Sequence, residues 1–330
     1  MSEQSKSEAH ASGHGKSGAH GGYPTKKLTP EEVAAATAER LAALQARYGD
    51  RLPDILDADL IRSEMTYDDY IETPTLLSLQ QTLTDFHDEL IFKVYHQQTE
   101  LWFKLILHEL DRAIRVLNHA APDLAVATES VSRVNRYFDV LAHSYSVMLD
   151  GLSSADFMVY RKAFMTSSGF QSAQFRVIEI RAGMEKEGGH QGEYYWERAA
   201  RHAITGEPTL TLIKFKEQYL RTFDELYRER SPFSLRIAFG EAAVRVLGAE
   251  TASLEVHREA LHGSHKELSQ LAQEMIRMDD AIVDWKQQHL KVAAKHLKTL
   301  KGTGETNWAE YLAHSIREKR CFPELAAAKG

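Results

Sequence analysis

The sequence predicts an all-α fold, and three observations carry that prediction. Apolar residues recur at spacings of three and four over long segments, which is the period of a helix with one buried face. Alternating runs of β-branched residues, which would indicate strands, are very few. Prolines number only 8 in 330 residues, so they seldom interrupt a helix. The segments with helical spacing are 75 to 119, 124 to 150, 170 to 184, 208 to 229, 233 to 247 and 251 to 300.

The amino-terminal part of the chain divides into a tail and a first helix. Residues 1–28 are rich in Ser, Gly, His and Lys and contain almost no side chain suited to a core, so we predict that they are disordered. Thr29, Pro30 and the acids that follow have the pattern of a helix start, with an N-cap residue and then proline at the first helical position. This pattern predicts a helix from Pro30 through about Tyr48.

The remaining chain is predicted to form one domain, residues 29–330. Residues 187–192, which include three glycines, interrupt the helical spacing in the middle of the chain. We therefore predict a smaller helical insertion at about 185–250 within this domain rather than a second domain.

Composition excludes several classes of function. The formal net charge of −7 provides no basic excess for a nucleic acid or an anionic membrane surface. The single cysteine, Cys321, cannot form an intramolecular disulfide and belongs to no thiolate metal motif. No apolar run approaches the roughly 20 residues that span a bilayer. These features predict a cytoplasmic protein.

The densest candidate segment for chemistry is residues 87–104. Phe92 and His96 are four residues apart, so on a helix an aromatic ring and an imidazole face the same side. Such a pair is suited to one wall of a ligand cavity. A packed core helix with a hydrogen-bonded histidine is the alternative interpretation.

A second segment has two histidines on an otherwise apolar helical stripe. A neutral imidazole among apolar groups is a plausible axial ligand for haem iron. His289 and His296 are two turns apart, roughly 10 Å along the axis, so they cannot bind one ion together. The short loop that follows, residues 301–304, contains a Gly-Thr-Gly sequence that can close over a polar ligand or simply end the helix. The stripe consists of Met278, Ile282, Trp285, His289, Val292 and His296.

Arg161 lies in an aromatic neighbourhood, since it follows Phe157 and comes directly after Tyr160. A guanidinium there needs an anionic partner, and a ligand carboxylate would accept two parallel hydrogen bonds from it. An internal salt bridge to Asp or Glu is the alternative.

Taken together, these segments resemble the tryptophan 2,3-dioxygenase family. The resemblance covers most of residues 65–183 and 280–325 and implies an all-α haem protein, with haem b as cofactor, that oxidises the indole ring of L-tryptophan with O₂ to N-formylkynurenine. The thirteen residues from His289 to Gly302 fit the family spacing from haem ligand to loop, which selects His289 over His296. The matching motifs are Met65-Thr66-Tyr67 with Tyr70, the block from His87 to Leu110, Arg161 through Arg176, Trp285 with His289, Gly302-Thr303-Gly304, and Cys321-Phe322-Pro323-Glu324-Leu325.

The resemblance also implies a role for each site residue. His96 would be the distal catalytic histidine near the indole nitrogen, and Arg161 would hold the substrate carboxylate. Tyr67 and Tyr70 would reach the active site of a neighbouring subunit, which implies a homotetramer with shared sites. The other substrate-binding residues would be Phe92, Phe157 and Thr303, and the cofactor-binding residues would be His289 as the iron ligand, Trp285, Ser168 and Gly302.

Some positions depart from the family pattern, and they keep other functions open. Residues 305–308 add bulk and a charge where the family loop continues with small residues, and Phe157 and Phe175 stand where some bacterial members carry tyrosine. Relatives in natural-product pathways insert one oxygen atom, so a monooxygenase that forms a 2-oxindole from a substituted tryptophan is one alternative. A non-catalytic haem sensor is a second alternative, although a sensor needs no clamp for an amino acid.

Overall fold

We describe the fold from a computed structural model of the chain. The structure describes residues 29–62, 65–165, 167–188, 192–202, 204–229, 233–298, 308–317 and 320–329. The predicted disordered tail, residues 1–28, and the loop residues Gly302 and Thr303 lie outside the described residues.

Residues up to Leu77 form one compact unit, and residues from Ser78 onward form another. In the first unit, helix α1 spans Pro30–Tyr48, α2 spans Leu52–Arg62 and α3 spans Tyr67–Ile71. Helix α4 spans Thr73–Ser78, so its last residue is the first residue of the second unit. The predicted first helix is confirmed. Its start is held by a capping box, in which the Glu32 N–H donates to the Thr29 hydroxyl at 3.2 Å and the Thr29 N–H donates to the Glu32 carboxylate at 2.8 Å.

The second unit consists of helices joined by short connections. Its two longest helices, His87–Leu117 and Lys266–Leu297, have 31 and 32 residues. The helices are α5 His87–Leu117, α6 Leu124–Gly151, α7 Ser154–Tyr160, α8 Ala173–Ala182, α9 Tyr195–Ala199, α10 Leu210–Arg228, α11 Leu235–Leu247, α12 Leu254–His262, α13 Lys266–Leu297, α14 Trp308–Arg317 and α15 Pro323–Ala328.

Two segments predicted as continuous helix are interrupted. Residues 79–86 separate α4 from α5, because the Glu89 carboxylate accepts hydrogen bonds from the N–H groups of Leu83 and Thr84 and holds the chain in a loop across the start of α5. Residues 263–265 separate α12 from α13, where the His265 ring accepts a hydrogen bond from the Leu268 N–H and caps the new helix.

The all-α prediction is confirmed, since the described residues form helices and turns and contain only isolated β-bridges, Glu187 with Glu193 and Arg201 with Pro208. In the range of the predicted insertion, α10 packs against α8, and α11 packs against both α5 and α8. The insertion stays a prediction. No helix in the described part of the chain is long and apolar enough to cross a membrane.

The core forms where α6 packs along both α5 and α13. Ile106 and Leu110 of α5 and Phe138 of α6 are fully buried. Complete burial of such a side chain stabilises the folded state by about 1.5–3 kcal/mol. At one level of this core, Phe103 of α5 lies 5.5 Å from the ring of Trp285 on α13, so the two long helices meet there.

Candidate active site

Beyond the level of Trp285, one more turn of α13 brings His289 to the edge of the core. Its imidazole stacks on Tyr145 of α6, with ring centroids 5.7 Å apart and planes 7° from parallel, and it lies 6.3 Å from the Trp285 ring. The side chain is half-buried. Neither ring nitrogen has a hydrogen-bond partner among the residues that the structure describes. The ring is therefore oriented by packing, while its nitrogens are not engaged by those residues.

The His289 imidazole is uncharged at neutral pH. Burial lowers its pKa to about 4, and positive charge on His96 contributes to the same shift. The two imidazoles lie on different helices, and the rings of Tyr95 and Tyr145 connect them. An uncharged imidazole keeps a nitrogen lone pair, which is the form that binds a metal ion.

His296, two turns further along α13, has different surroundings. Its side chain is only 4% exposed, and both ring nitrogens are engaged. Nε2 donates to the Met148 carbonyl at 2.9 Å, and Nδ1 accepts from the Ser154 hydroxyl at 2.9 Å. No nitrogen of this ring remains for a metal, so of the two histidines that the residue pattern left open, only His289 presents an available lone pair.

His96, on the facing helix α5, has a defined protonation pattern. Its Nδ1 lies 2.7 Å from the Phe92 carbonyl oxygen, and because a carbonyl only accepts, Nδ1 carries the proton. The side chain is exposed, but the protein atoms packed around the ring desolvate it and lower its pKa, so the neutral form is favoured and Nε2 is left as an acceptor. His96 thus presents an acceptor, while its Nδ1 proton is held by its own helix.

An aromatic cluster surrounds Phe92 beside His96. The Phe92 ring centroid lies 4.1 Å from that of His96, 5.0 Å from that of Phe164 in a stacked arrangement, and 5.6 Å from that of Phe157. Phe157 also lies 5.6 Å from the His296 ring, so it joins the α5 side of the site to the α13 side. The cluster forms an apolar surface suited to a flat ring.

Arg161 closes this cluster at the end of α7. Its guanidinium carbon lies 5.9 Å above the Phe157 ring. Burial lowers the pKa of Arg161, although a guanidinium remains charged at any ordinary pH. The predicted clamp and the predicted aromatic wall therefore come together in the structure. Arg161, Phe157 and Phe92 lie in one cluster with His96.

Other predicted site residues occupy different positions. Trp285 is buried among the rings of Phe103, Phe138, Phe175 and Tyr145, and its indole nitrogen has no hydrogen-bond partner within the described ranges. Ser168 is half-buried, and its N–H donates to the Gln171 side chain at 2.8 Å. Within the described part of the chain, the hydrogen bonds of Ser168 do not bring it to His96 or His289.

Tyr67 and Tyr70, on α3 of the first unit, are each 75% exposed. They begin and nearly complete a single helical turn that is capped by Thr66, whose N–H donates to the Asp69 carboxylate at 3.0 Å. Both rings are therefore largely open to solvent in this chain.

Sequence reasoning missed three residues of the site, Phe164, Tyr95 and Tyr145. Phe157, Tyr160 and Phe164 follow one another at spacings of three and then four residues, so a helical reading of residues 157–164 would have found Phe164. Tyr95 lies 5.7 Å from the His96 ring and 5.5 Å from the Tyr145 ring, and it thereby links the two histidines through α6. No spacing in the sequence signals that Tyr145 meets His289, because the two lie on separate helices.

Fold and site together define an all-helical protein that presents a neutral imidazole, available for a metal, together with an aromatic cluster that ends at a guanidinium. A family model described as tryptophan 2,3-dioxygenase matches residues 56–232. The chain belongs to the tryptophan 2,3-dioxygenase family. Phe92, His96, Phe157, Arg161 and Ser168 fall inside the matched range.

Individual relatives cover more of the chain. The tryptophan 2,3-dioxygenase of Caulobacter vibrioides is 33% identical over 269 residues, which are 79% of this chain and 96% of the relative. The enzyme of the same name from Ruegeria pomeroyi is 31% identical, over 81% of this chain and 93% of the relative. That from Bacillus cereus is 30% identical, over 80% and 91%.

Proposed function

We propose that this protein is a haem-dependent dioxygenase that converts L-tryptophan and O₂ to N-formylkynurenine. The observation that carries the proposal is the neutral imidazole of His289, with no hydrogen-bond partner among the described residues, next to His96 and the aromatic cluster that ends at Arg161. The relatives named tryptophan 2,3-dioxygenase support the choice of substrate and reaction.

The residues present fit a haem b group. His289 would hold the haem iron, since neither of its ring nitrogens is engaged by a described residue and the stack on Tyr145 fixes the orientation of its ring. Trp285 would support the ligand from within the core. By resemblance, Ser168 and Gly302 would line the cofactor. When bound, the haem supplies the binding and activation of O₂, which no amino-acid side chain provides.

The protein would then bind and orient the substrate. Arg161 would receive the carboxylate through two parallel hydrogen bonds, and Thr303 would contact the ammonium and carboxylate end. Phe92 and Phe157 would pack on the indole. His96 can accept the indole N–H at Nε2, because its own proton is held on Nδ1 by the Phe92 carbonyl. A ring with a lowered pKa is a weak base, so this contact would orient the indole rather than deprotonate it.

We also propose a homotetramer with active sites shared between subunits and a cytoplasmic location. The exposure of Tyr67 and Tyr70 supports shared sites, because a neighbouring subunit would bury both rings.

A mixing experiment tests whether active sites are shared between subunits. Protein carrying Tyr67→Ala and Tyr70→Ala is mixed with Arg161→Ala protein under conditions that exchange subunits. Activity recovered above that of either parent supports shared sites, and no recovery in verified mixed oligomers contradicts them.

The reaction itself is tested by mass spectrometry of the product made under ¹⁸O₂ by protein reconstituted with hemin. Two labelled atoms in a ring-opened product are expected, whereas one labelled atom would indicate the monooxygenase. A haem spectrum indifferent to tryptophan, with no product, would indicate the sensor. His289→Ala should abolish stable haem binding, and a variant that keeps the wild-type haem spectrum would contradict the ligand assignment.

A further inference from the structure

We propose that His296 is a positioning residue for substrate binding, which holds the corner between α6 and α7 so that Arg161 meets the substrate carboxylate. The inference rests on the proposed function, since it concerns the substrate of the same site. It assigns a role to the second histidine of the α13 stripe, which the proposed haem site leaves unused.

The corner in question is residues 152–153, between the end of α6 at Gly151 and the start of α7 at Ser154. The last carbonyls of a helix have no partner within it, so they must be satisfied from outside. Two of those at the end of α6 are satisfied by α13. His296 Nε2 donates to the Met148 carbonyl, and Lys295 Nζ donates to the Leu149 carbonyl. The end of α13 thus caps the end of α6.

The same histidine holds the start of α7. The Ser154 hydroxyl, in the first residue of α7, donates to His296 Nδ1 at 2.9 Å. The preceding residue is held from α5, where the Asp88 carboxylate accepts the Ser153 N–H at 2.8 Å. With one ring nitrogen donating to α6 and the other accepting from α7, His296 fixes the direction in which the chain enters α7.

α7 is the helix that leads to the predicted clamp. It has only 7 residues, so its direction at Ser154 sets the position of Phe157 one turn later and of Arg161 at its end. The His296 ring also packs against Phe157, at 5.6 Å, and Phe157 lies under the Arg161 guanidinium at 5.9 Å. His296 therefore supports the clamp through both backbone and side-chain contacts.

The two hydrogen bonds of the His296 ring suggest which variants test its role. Leucine keeps an apolar shape but neither donates nor accepts, so it leaves the Met148 carbonyl and the Ser154 hydroxyl without their partner. The glutamine side chain has both an N–H donor group and a carbonyl acceptor, so it can restore both bonds. Lys291→Ala is the matched control on α13, because the only hydrogen bond of Lys291 in the described part of the chain goes to Gln288 on its own helix.

The test compares two amines that differ at the carboxylate, L-tryptophan and tryptamine, by their effect on the haem spectrum of the reconstituted enzyme. His296→Leu should keep the haem spectrum and weaken L-tryptophan binding about tenfold, while tryptamine binding changes less than about twofold. His296→Gln should return L-tryptophan binding to within about threefold of wild type. Lys291→Ala should match wild type with both amines.

Ser154→Ala provides a second test that leaves the histidine in place. It should weaken L-tryptophan binding about threefold without affecting tryptamine, and it carries the test if His296→Leu does not fold. Wild-type affinity for L-tryptophan in the folded variants, or an equal loss for both amines, would overturn the positioning role while leaving the proposed function intact. If the haem spectrum of the reconstituted wild-type enzyme responds to neither L-tryptophan nor tryptamine, both the positioning role and the proposed function are overturned.

Discussion

Among the charged side chains of the described residues, Glu179 is the one whose substitution is expected to destabilise the fold most. Its carboxylate is 3% exposed and lies between two cations, Arg176 Nη1 at 2.6 Å and Lys286 Nζ at 3.2 Å. The Tyr195 hydroxyl donates to it at 2.7 Å. The cluster joins α8, α9 and α13, and Lys286 is the residue next to Trp285.

Glu179→Gln should lower the free energy of unfolding by about 3–5 kcal/mol. The substitution keeps the shape of the side chain but leaves two buried cations without the carboxylate that both contact, and breaking a buried ion pair on one side has that cost. The measurement is urea unfolding followed by circular dichroism, with wild type and variant in the same haem state.

Two further variants show whether buried charge is the cause. The double variant Glu179→Gln with Lys286→Met also removes one of the two buried cations. Its free energy of unfolding should therefore be about 1 kcal/mol higher than that of Glu179→Gln alone. Glu255→Gln is the matched control, since its 3.3 Å pair with Arg258 is exposed and should contribute less than about 1 kcal/mol. A loss below about 1 kcal/mol for Glu179→Gln, unchanged by Lys286→Met, would refute the reasoning.

Three other outcomes are expected. Because the lowered pKa of His289 keeps its ring neutral down to a pH of about 4, haem binding should stay constant as the pH falls through 6.5, and haem release with a midpoint near 6.5 would contradict this. Arg161→Ala should weaken L-tryptophan binding at least about tenfold and leave tryptamine nearly unaffected in spectral titrations, whereas equal binding of L-tryptophan would count against the clamp. Phe103→Ala should lower the free energy of unfolding by about 3–5 kcal/mol, because a ring only 1% exposed leaves a cavity between Phe175 and Trp285; a loss under 1 kcal/mol in urea unfolding would contradict that packing.

Local sequence signals predicted the helices well and their interruptions poorly. The capping box at Thr29 depends only on residues three apart, so it could be read directly from the sequence. The loop before α5 could not, because it depends on Glu89 turning its carboxylate back to the backbone of Leu83 and Thr84. Apolar periodicity continues through that loop and conceals it.

For the candidate site, the sequence predicted residues on one helix but not contacts between helices. Phe92 with His96, and the His289 and His296 stripe, follow from spacing alone. The distinction between His289 and His296 needed either the family resemblance or the structure, because it depends on Met148 and Ser154, more than 140 positions away. The stack of Tyr145 on His289 has the same origin, and side-chain packing across helices leaves no regular trace in a sequence.

The contact of residues 321–322 with α13 determines how reactive the cysteine is. Asp279 accepts the N–H groups of Cys321 and Phe322 and seats the chain's single cysteine, 1% exposed, against the middle of α13. Burial raises the pKa of this thiol well above its usual range, so alkylating reagents meet an unreactive, shielded sulfur until that region opens. The rate at which Cys321 of the folded protein is alkylated therefore reports how often the chain opens locally around α13.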